Sequence, residues 1–310
     1  MSNSSLFKVH TLGCGSAKPS PHHNTSCTVV EHNSSLYMID CGEGAQKAFA
    51  QKKLKLNRLS HIFLTHLHGD HVFGLPGLIG TLGLQDKGGS ITIHTFAEGE
   101  KILTQIFEFF DRDTPFEIKF NILNPHKEEI ALETRKLRVR TVPLKHRINC
   151  VGYVFEEKEK PRHIIREMCD FHKVPVWMMN SIKMGSDFQR DDGVIVPNHI
   201  LTRDPTPAMS YAHIGDTSYS SAIAGKVGPV ELLMHETTYL EDLRQMASER
   251  GHSTARQAAL FARESGAKHL LTGHYSSRYN DDSLFLKEAK EVFPNTILNK
   301  EGLTLSLPIK

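Results

Sequence analysis

The stretch Thr65-His66-Leu67-His68-Gly69-Asp70-His71 narrows what this chain can fold into more than any other. Four candidate metal ligands fall within six residues, directly after the apolar run His61-Ile62-Phe63-Leu64, which reads as a strand. Imidazole and carboxylate together suit zinc and its first-row neighbours. One residue separates His66 from His68, so in an extended segment both point the same way and grip one ion. Asp70 and His71 lie beyond a glycine, where the backbone turns and aims them at a second site. A solvated histidine-rich loop is the alternative. The flanking strand and the apolar run Val72 to Ile79 argue against it.

The 310 residues, 39% of them hydrophobic, suffice for one large domain or two small ones. No apolar segment reaches the roughly 18 residues that a bilayer crossing needs. The N-terminus, Met1-Ser2-Asn3-Ser4-Ser5, lacks the charged and apolar regions of a signal peptide. Five cysteines (14, 27, 41, 150 and 169) form no CxxC pair, which points to a reducing, cytoplasmic setting rather than a disulfide scaffold. A formal charge of +2 neither demands nor excludes nucleic acid. Nineteen histidines are far above ordinary usage, and histidine is the commonest metal ligand.

Short β-rich runs alternate with helical patterns, as in a layered α/β domain. Strands are expected at 7–12, 27–32, 36–39, 61–64, 91–96, 116–123, 130–132, 137–142, 151–155, 210–214, 229–234, 269–271, 296–298 and 303–307. Helices are expected at 44–52, 73–84, 161–171, 240–250, 254–264 and 284–292, and 174–208 reads as an irregular excursion. No repeat of 20–50 residues is visible.

The local cluster alone is short of ligands. Further candidates are His146 after Leu137–Lys145, Asp216 after Ala212-His213-Ile214-Gly215, and His274 after His269–Gly273. A strand-end aspartate is often a helix cap, but here each ligand-type residue follows an apolar run. Seven ligands hold two ions if one carboxylate bridges, and Asp216 is the natural bridge. Paired ions about 3.5–4 Å apart clamp a phosphoryl group and acidify a bound water. Glu236, in Met234-His235-Glu236-Thr237-Thr238, and His252, in Gly251-His252-Ser253-Thr254, suit a carboxylate-oriented imidazole acid. Spacing leaves equally open a plain Ser253 cap on the following helix.

His66-Leu67-His68-Gly69-Asp70-His71 resembles the HxHxDH signature of the metallo-β-lactamase superfamily. That resemblance implies an αββα sandwich with a dinuclear site at one edge. Finer matches resemble the ribonuclease Z branch. They are Leu12–Pro19, Ile39-Asp40-Cys41-Gly42-Glu43-Gly44-Ala45-Gln46, Gly69–Leu78, His235-Glu236-Thr237-Thr238, Gly251-His252-Ser253-Thr254 and Gly273–Tyr279. The resemblance covers about Leu12 to Tyr279 and implies one metallo-β-lactamase-type domain over 1–310. The excursion near 156–208 would be a substrate-binding arm.

It further implies a zinc-dependent endoribonuclease that removes the 3′ trailer from precursor tRNA, leaving a tRNA 3′-hydroxyl and a trailer 5′-phosphate. His66, His68 and His146 would bind one of two zinc ions per chain and Asp70, His71 and His274 the other, with Asp216 bridging; manganese or iron suits the same donors. Asp70 would act as base toward the attacking water. His252, oriented by Glu236, would protonate the departing oxygen, and Asp40 would buttress the metal loop. A homodimer, precursor tRNA as partner and no membrane association complete the expectation.

Two departures stand out. His23-Asn24 replaces the family's usual Arg-Asn, and Lys173–Gly185 lacks the Gly-Pro-rich element of the bacterial arm. Arg162, Arg166 and Lys173 offer either a basic face or an ordinary solvated helix surface. The divergent arm keeps two rivals in view: a phosphodiesterase for small or cyclic phosphodiesters, and a non-catalytic RNA-binding relative.

Overall fold

Parallel strands that end at a common rim explain how residues so far apart in sequence meet. The computed structural model describes residues 6–85, 88–110 and 114–309, so the polar Met1–Ser5 lies outside the described residues. The larger of two compact units holds residues 5–133, 138–156 and 209–310. Its first seven-stranded sheet runs, in spatial order, Thr304–Ser306, Phe7–Gly13, Cys27–His32, Ser35–Ile39, Leu59–Phe63, Ser90–Thr95 and Glu117–Ile122. The first four strands pair antiparallel, and the last four are parallel. The second sheet runs Thr296–Ile297, His269–Gly273, Leu232–Glu236, Ser210–Ile214, Val151–Glu157, Leu137–Pro143 and Ile130–Glu133. Its first four strands are parallel.

An aromatic seam joins the sheets. Phe63 of the first lies 5.1 Å from Tyr153 and 5.4 Å from Phe155 of the second, centroid to centroid, in edge-on geometry. Tyr153 also donates its hydroxyl to the Leu64 carbonyl at 2.6 Å. Helices cover the outer faces. Ala48, Leu75, Leu78, Leu82, Leu103 and Phe107 pack on the first sheet; Ala224, Ala255, Ala259, Phe261 and Phe285 pack on the second. A strand covered on both sides needs no polar face, and every residue of Cys27–His32 is accordingly buried. The order is helix, sheet, sheet, helix, as expected.

The helix Ala97–Phe110 was not expected from sequence, although Leu103, Ile106 and Phe107 show the i, i+3, i+4 spacing that packs it on the core. Ser221–Val227 is a second unexpected helix. The Ser253 cap is corrected. Thr254 caps Ala255–Ser265 through a box with Gln257, while the Ser253 hydroxyl donates to the Thr217 carbonyl at 2.7 Å.

The smaller unit gathers residues 134–137 and 157–208. Two expectations fail here. Only Arg166–Phe171 of 161–171 is helical; His163–Ile164 is a strand paired with Thr202–Arg203. The 174–208 excursion is not irregular throughout. It carries the helices Met179–Lys183 and Asn198–Leu201 and a strand pair, Phe188–Gln189 with Ile195–Val196, around a core of Cys169, Ile182, Phe188, Val196 and Leu201. Each element spans five residues or fewer, too short for a periodic signal. Of the two readings of Arg162, Arg166 and Lys173, the ordinary solvated surface fits better, because Arg162 pairs with Asp204 at 2.8 Å and Arg166 with Asp170 at 2.9 Å.

Candidate active site

Strand register sets the site. Ile39 pairs with Phe63, and Glu236 pairs with Gly273, so Asp40, the His66 loop, Asp216, Glu236 and His274 all emerge at the C-terminal ends of parallel strands. That is where open α/β sheets place their ligands. His146 follows the strand Leu137–Pro143.

The expected ligands converge. His66, His68, His146 and Asp216 offer donor atoms within 4.8 Å of one another, as do Asp70, His71 and His274. Asp216 faces both groups with different oxygens. Its Oδ2 lies 3.6 Å from His66 Nε2 and 3.8 Å from His146 Nε2, and its Oδ1 lies 3.2 Å from His274 Nε2 and 3.7 Å from His71 Nε2. It caps no helix, since Ser220 holds that place for the next one.

Four of the five imidazoles, those of His66, His71, His146 and His274, are aimed by a bond on the outer nitrogen, the arrangement that fixes tautomer and orientation in metal sites. His71 Nδ1 meets Asp40 Oδ2 at 2.7 Å, and His146 Nδ1 donates to the Gly251 carbonyl at 2.8 Å. His274 Nδ1 meets Thr238 Oγ1 at 3.0 Å. His66 Nδ1 meets Thr65 Oγ1 at 3.1 Å, and that hydroxyl donates onward to Asp40 at 2.9 Å. Asp40 also accepts the Thr65 amide at 2.8 Å, so one buried carboxylate braces both ends of the histidine loop.

The inner nitrogens then face one another, His66 Nε2 to His68 Nδ1 at 3.0 Å and His71 Nε2 to His274 Nε2 at 3.3 Å. Tetrahedral donors on zinc stand about 3.3 Å apart. Burial, and then the neighbouring imidazoles, push His66 well below its ordinary pKa, which leaves a neutral ring with a free lone pair. Asp216 Oδ1 is buried without a hydrogen-bond partner, an expensive arrangement that a cation resolves. The donor set fits divalent metal.

Glu236 and His252 meet as expected. His252 Nδ1 lies 3.0 Å from Glu236 Oε1, and Glu236 also accepts the Thr217 amide at 3.0 Å and the Thr238 hydroxyl at 2.6 Å. Burial alone would lower the pKa of His252, but the Glu236 and Asp216 carboxylates carry it up to about 9. Asp216, His252 and His274 also bring donor atoms within 4.8 Å of one another, and the His252 nitrogen turned toward Asp216, at 3.8 Å, is the same Nδ1 that bonds Glu236.

Sequence reasoning missed four contributors: Thr65, Thr238, the Gly251 carbonyl, and the Ala17 amide, which donates to Asp70 Oδ2 at 2.7 Å. Gly251 has φ 75°, and a Cβ there would fall 2.8 Å from His146 Nδ1. Gly251→Ala is therefore expected to lower metal affinity by about 10–100-fold, the usual cost of disturbing an outer partner. Metal titration of the variant checks this. Unchanged affinity would show that His146 does not depend on that carbonyl.

A family model for the metallo-beta-lactamase superfamily matches residues 21–158. The crystal structure of human tRNase Z, short form, superposes with a TM-score of 0.70 at 25% identity, covering 97% of this chain and all of that one. Fold and site together define a metal-dependent hydrolase of the metallo-β-lactamase class. Ribonuclease Z of Parabacteroides distasonis is 46% identical, and that of Porphyromonas gingivalis 44%, each alignment covering 97% of this chain and 99% of the relative. The chain belongs to the ribonuclease Z family.

Proposed function

We propose that this chain is an endoribonuclease that removes the 3′ trailer from precursor tRNA, leaving a 3′-hydroxyl on the tRNA and a 5′-phosphate on the trailer. The observation that carries this reading is the Glu236–His252 pair beside both donor clusters, with His252, Asp70 and Asp216 lining one cleft of about 430 Å³. His66, His68 and His146 would hold one zinc ion and Asp70, His71 and His274 a second, with Asp216 shared; manganese or iron would suit the same donors. Such ions, when bound, supply Lewis acidity to the phosphoryl oxygens and acidify water.

The chain's own residues do the rest. Asp70, held by the Ala17 amide, orients the attacking water and takes its proton. As the new P–O bond forms, the bond from phosphorus to the ribose 3′ oxygen breaks. His252 gives its proton to that oxygen, and Glu236 stabilises the imidazolium beforehand and fixes which nitrogen points outward.

The test is end-mapping of a precursor tRNA after incubation with the metal-loaded chain, beside hydrolysis of bis(p-nitrophenyl) phosphate. One cut at the 3′ boundary with the ends given above is expected. Hydrolysis of the small ester alone would overturn the tRNA reading in favour of a small-phosphodiester hydrolase. Exhaustive chelation is expected to abolish both activities and added zinc to restore them; activity that survives chelation would remove metal from the account.

The reading extends to a homodimer in the cytoplasm. The exposed Leu84, Ile102, Phe109 and Phe110 support the first, and five free, buried cysteines support a reducing compartment. Among the described residues no helix is long and apolar enough to cross a membrane.

A further inference from the structure

Phe73 lines the cleft with 70% of the residue exposed, beside charged side chains and the proposed metal ligands. An apolar ring exposed beside a polar site presents an open π face to whatever enters the cleft. The ring is also positioned. Phe73 closes the turn Gly69–Val72, its amide bonded to the Gly69 carbonyl at 2.9 Å. A Cβ on Gly69 would fall 2.3 Å from Phe73 Cε2 and 2.5 Å from Cζ, so the ring rests directly on the glycine backbone. Gly69 thus supports the ring from beneath, next in sequence to Asp70. Lys18 and Arg147 line the same cleft, and neither forms an ion pair among the described residues.

A flat exposed ring flanked by two unpaired cations is the arrangement that holds a nucleotide, with the base on the ring and phosphates on the cations. We infer that Phe73 is a specificity residue that stacks the nucleobase immediately 3′ of the scissile bond, the first base of the trailer. The side follows from the chemistry. His252 serves the leaving oxygen, which belongs to the last nucleotide of the tRNA. Phe73 belongs to the Asp70 turn rather than to the His252 segment, so it is assigned to the other nucleotide on the phosphorus, the trailer's first, whose 5′ oxygen stays bonded throughout. This inference rests on the endoribonuclease reading above.

The test crosses Phe73 variants with abasic substrates. On an intact precursor, Phe73→Ala should lower kcat/KM about 5- to 150-fold, mainly through KM, the scale of one lost base–aromatic stack. Phe73→Trp should keep near-normal rates, and Phe73→Leu, which keeps bulk without a π face, should behave like the alanine variant. On a precursor abasic at the first trailer position, wild type and Phe73→Ala should be equal. Equal losses on intact and abasic precursors would overturn the inference by making Phe73 structural. Coupling to the last tRNA nucleotide instead would overturn the assigned side. If wild type cuts no precursor at all yet hydrolyses a small diester, the endoribonuclease reading fails, an outcome distinct from wild-type cleavage that ignores Phe73.

Discussion

Replacing Asp216 with alanine is expected to abolish cleavage, with a loss of about 10⁴-fold or more, because it removes a carboxylate presented to both donor clusters. Metal content should fall with it. Asp216 Oδ1 is buried with no hydrogen-bond partner, so a cation stabilises the native protein beyond what it contributes to catalysis. A cation at a hundred times its Kd adds about 2.7 kcal/mol to the folded state. Wild-type protein should therefore melt several degrees higher with zinc than after chelation, and Asp216→Ala should show little of that shift. A variant that kept both its metal and its rate would show Asp216 to be a bystander. The melting curves distinguish loss of metal from loss of fold.

His252→Ala is the second large effect, and its signature is the opposite. Turnover should fall about 10²–10⁴-fold, the usual range for a general acid, with metal content unchanged. Metal should be retained because His146, His71 and His274 take their orienting bonds from Gly251, Asp40 and Thr238 rather than from this ring. Glu236→Gln should act through the same ring with a smaller loss. A Gln amide would face the Thr217 and Thr238 amides, which already donate to that carboxylate at 3.0 and 3.1 Å, and the imidazolium would lose its counter-charge. Single-turnover rates with measured metal occupancy separate these cases. An unchanged rate for His252→Ala would remove it from the mechanism.

The site was more legible in the sequence than its supports. His66, His68, Asp70 and His71 are local, so their type and spacing announce them. His146, Asp216 and His274 are distant, but each follows a strand, and for Asp216 and His274 parallel strands that end in register carry the trailing residues to one rim. The groups that orient them left less trace. Gly251 contributes a carbonyl that every residue possesses, and Thr65 and Thr238 act through hydroxyls common in any chain. The cap on Ala255–Ser265 was readable, since Thr254-Ala255-Arg256-Gln257 has capping-box spacing; the adjacent Ser253 drew the assignment away from it. In 157–208 the cause is length. Elements of two to six residues define their own small core without any periodic pattern.

Anomalous diffraction at the zinc edge, on crystals of chain loaded with zinc, tests the central claim most directly. Two peaks per chain are predicted, one among His66, His68 and His146 and one among Asp70, His71 and His274, with Asp216 between them. A single peak, or peaks away from these residues, would contradict the account.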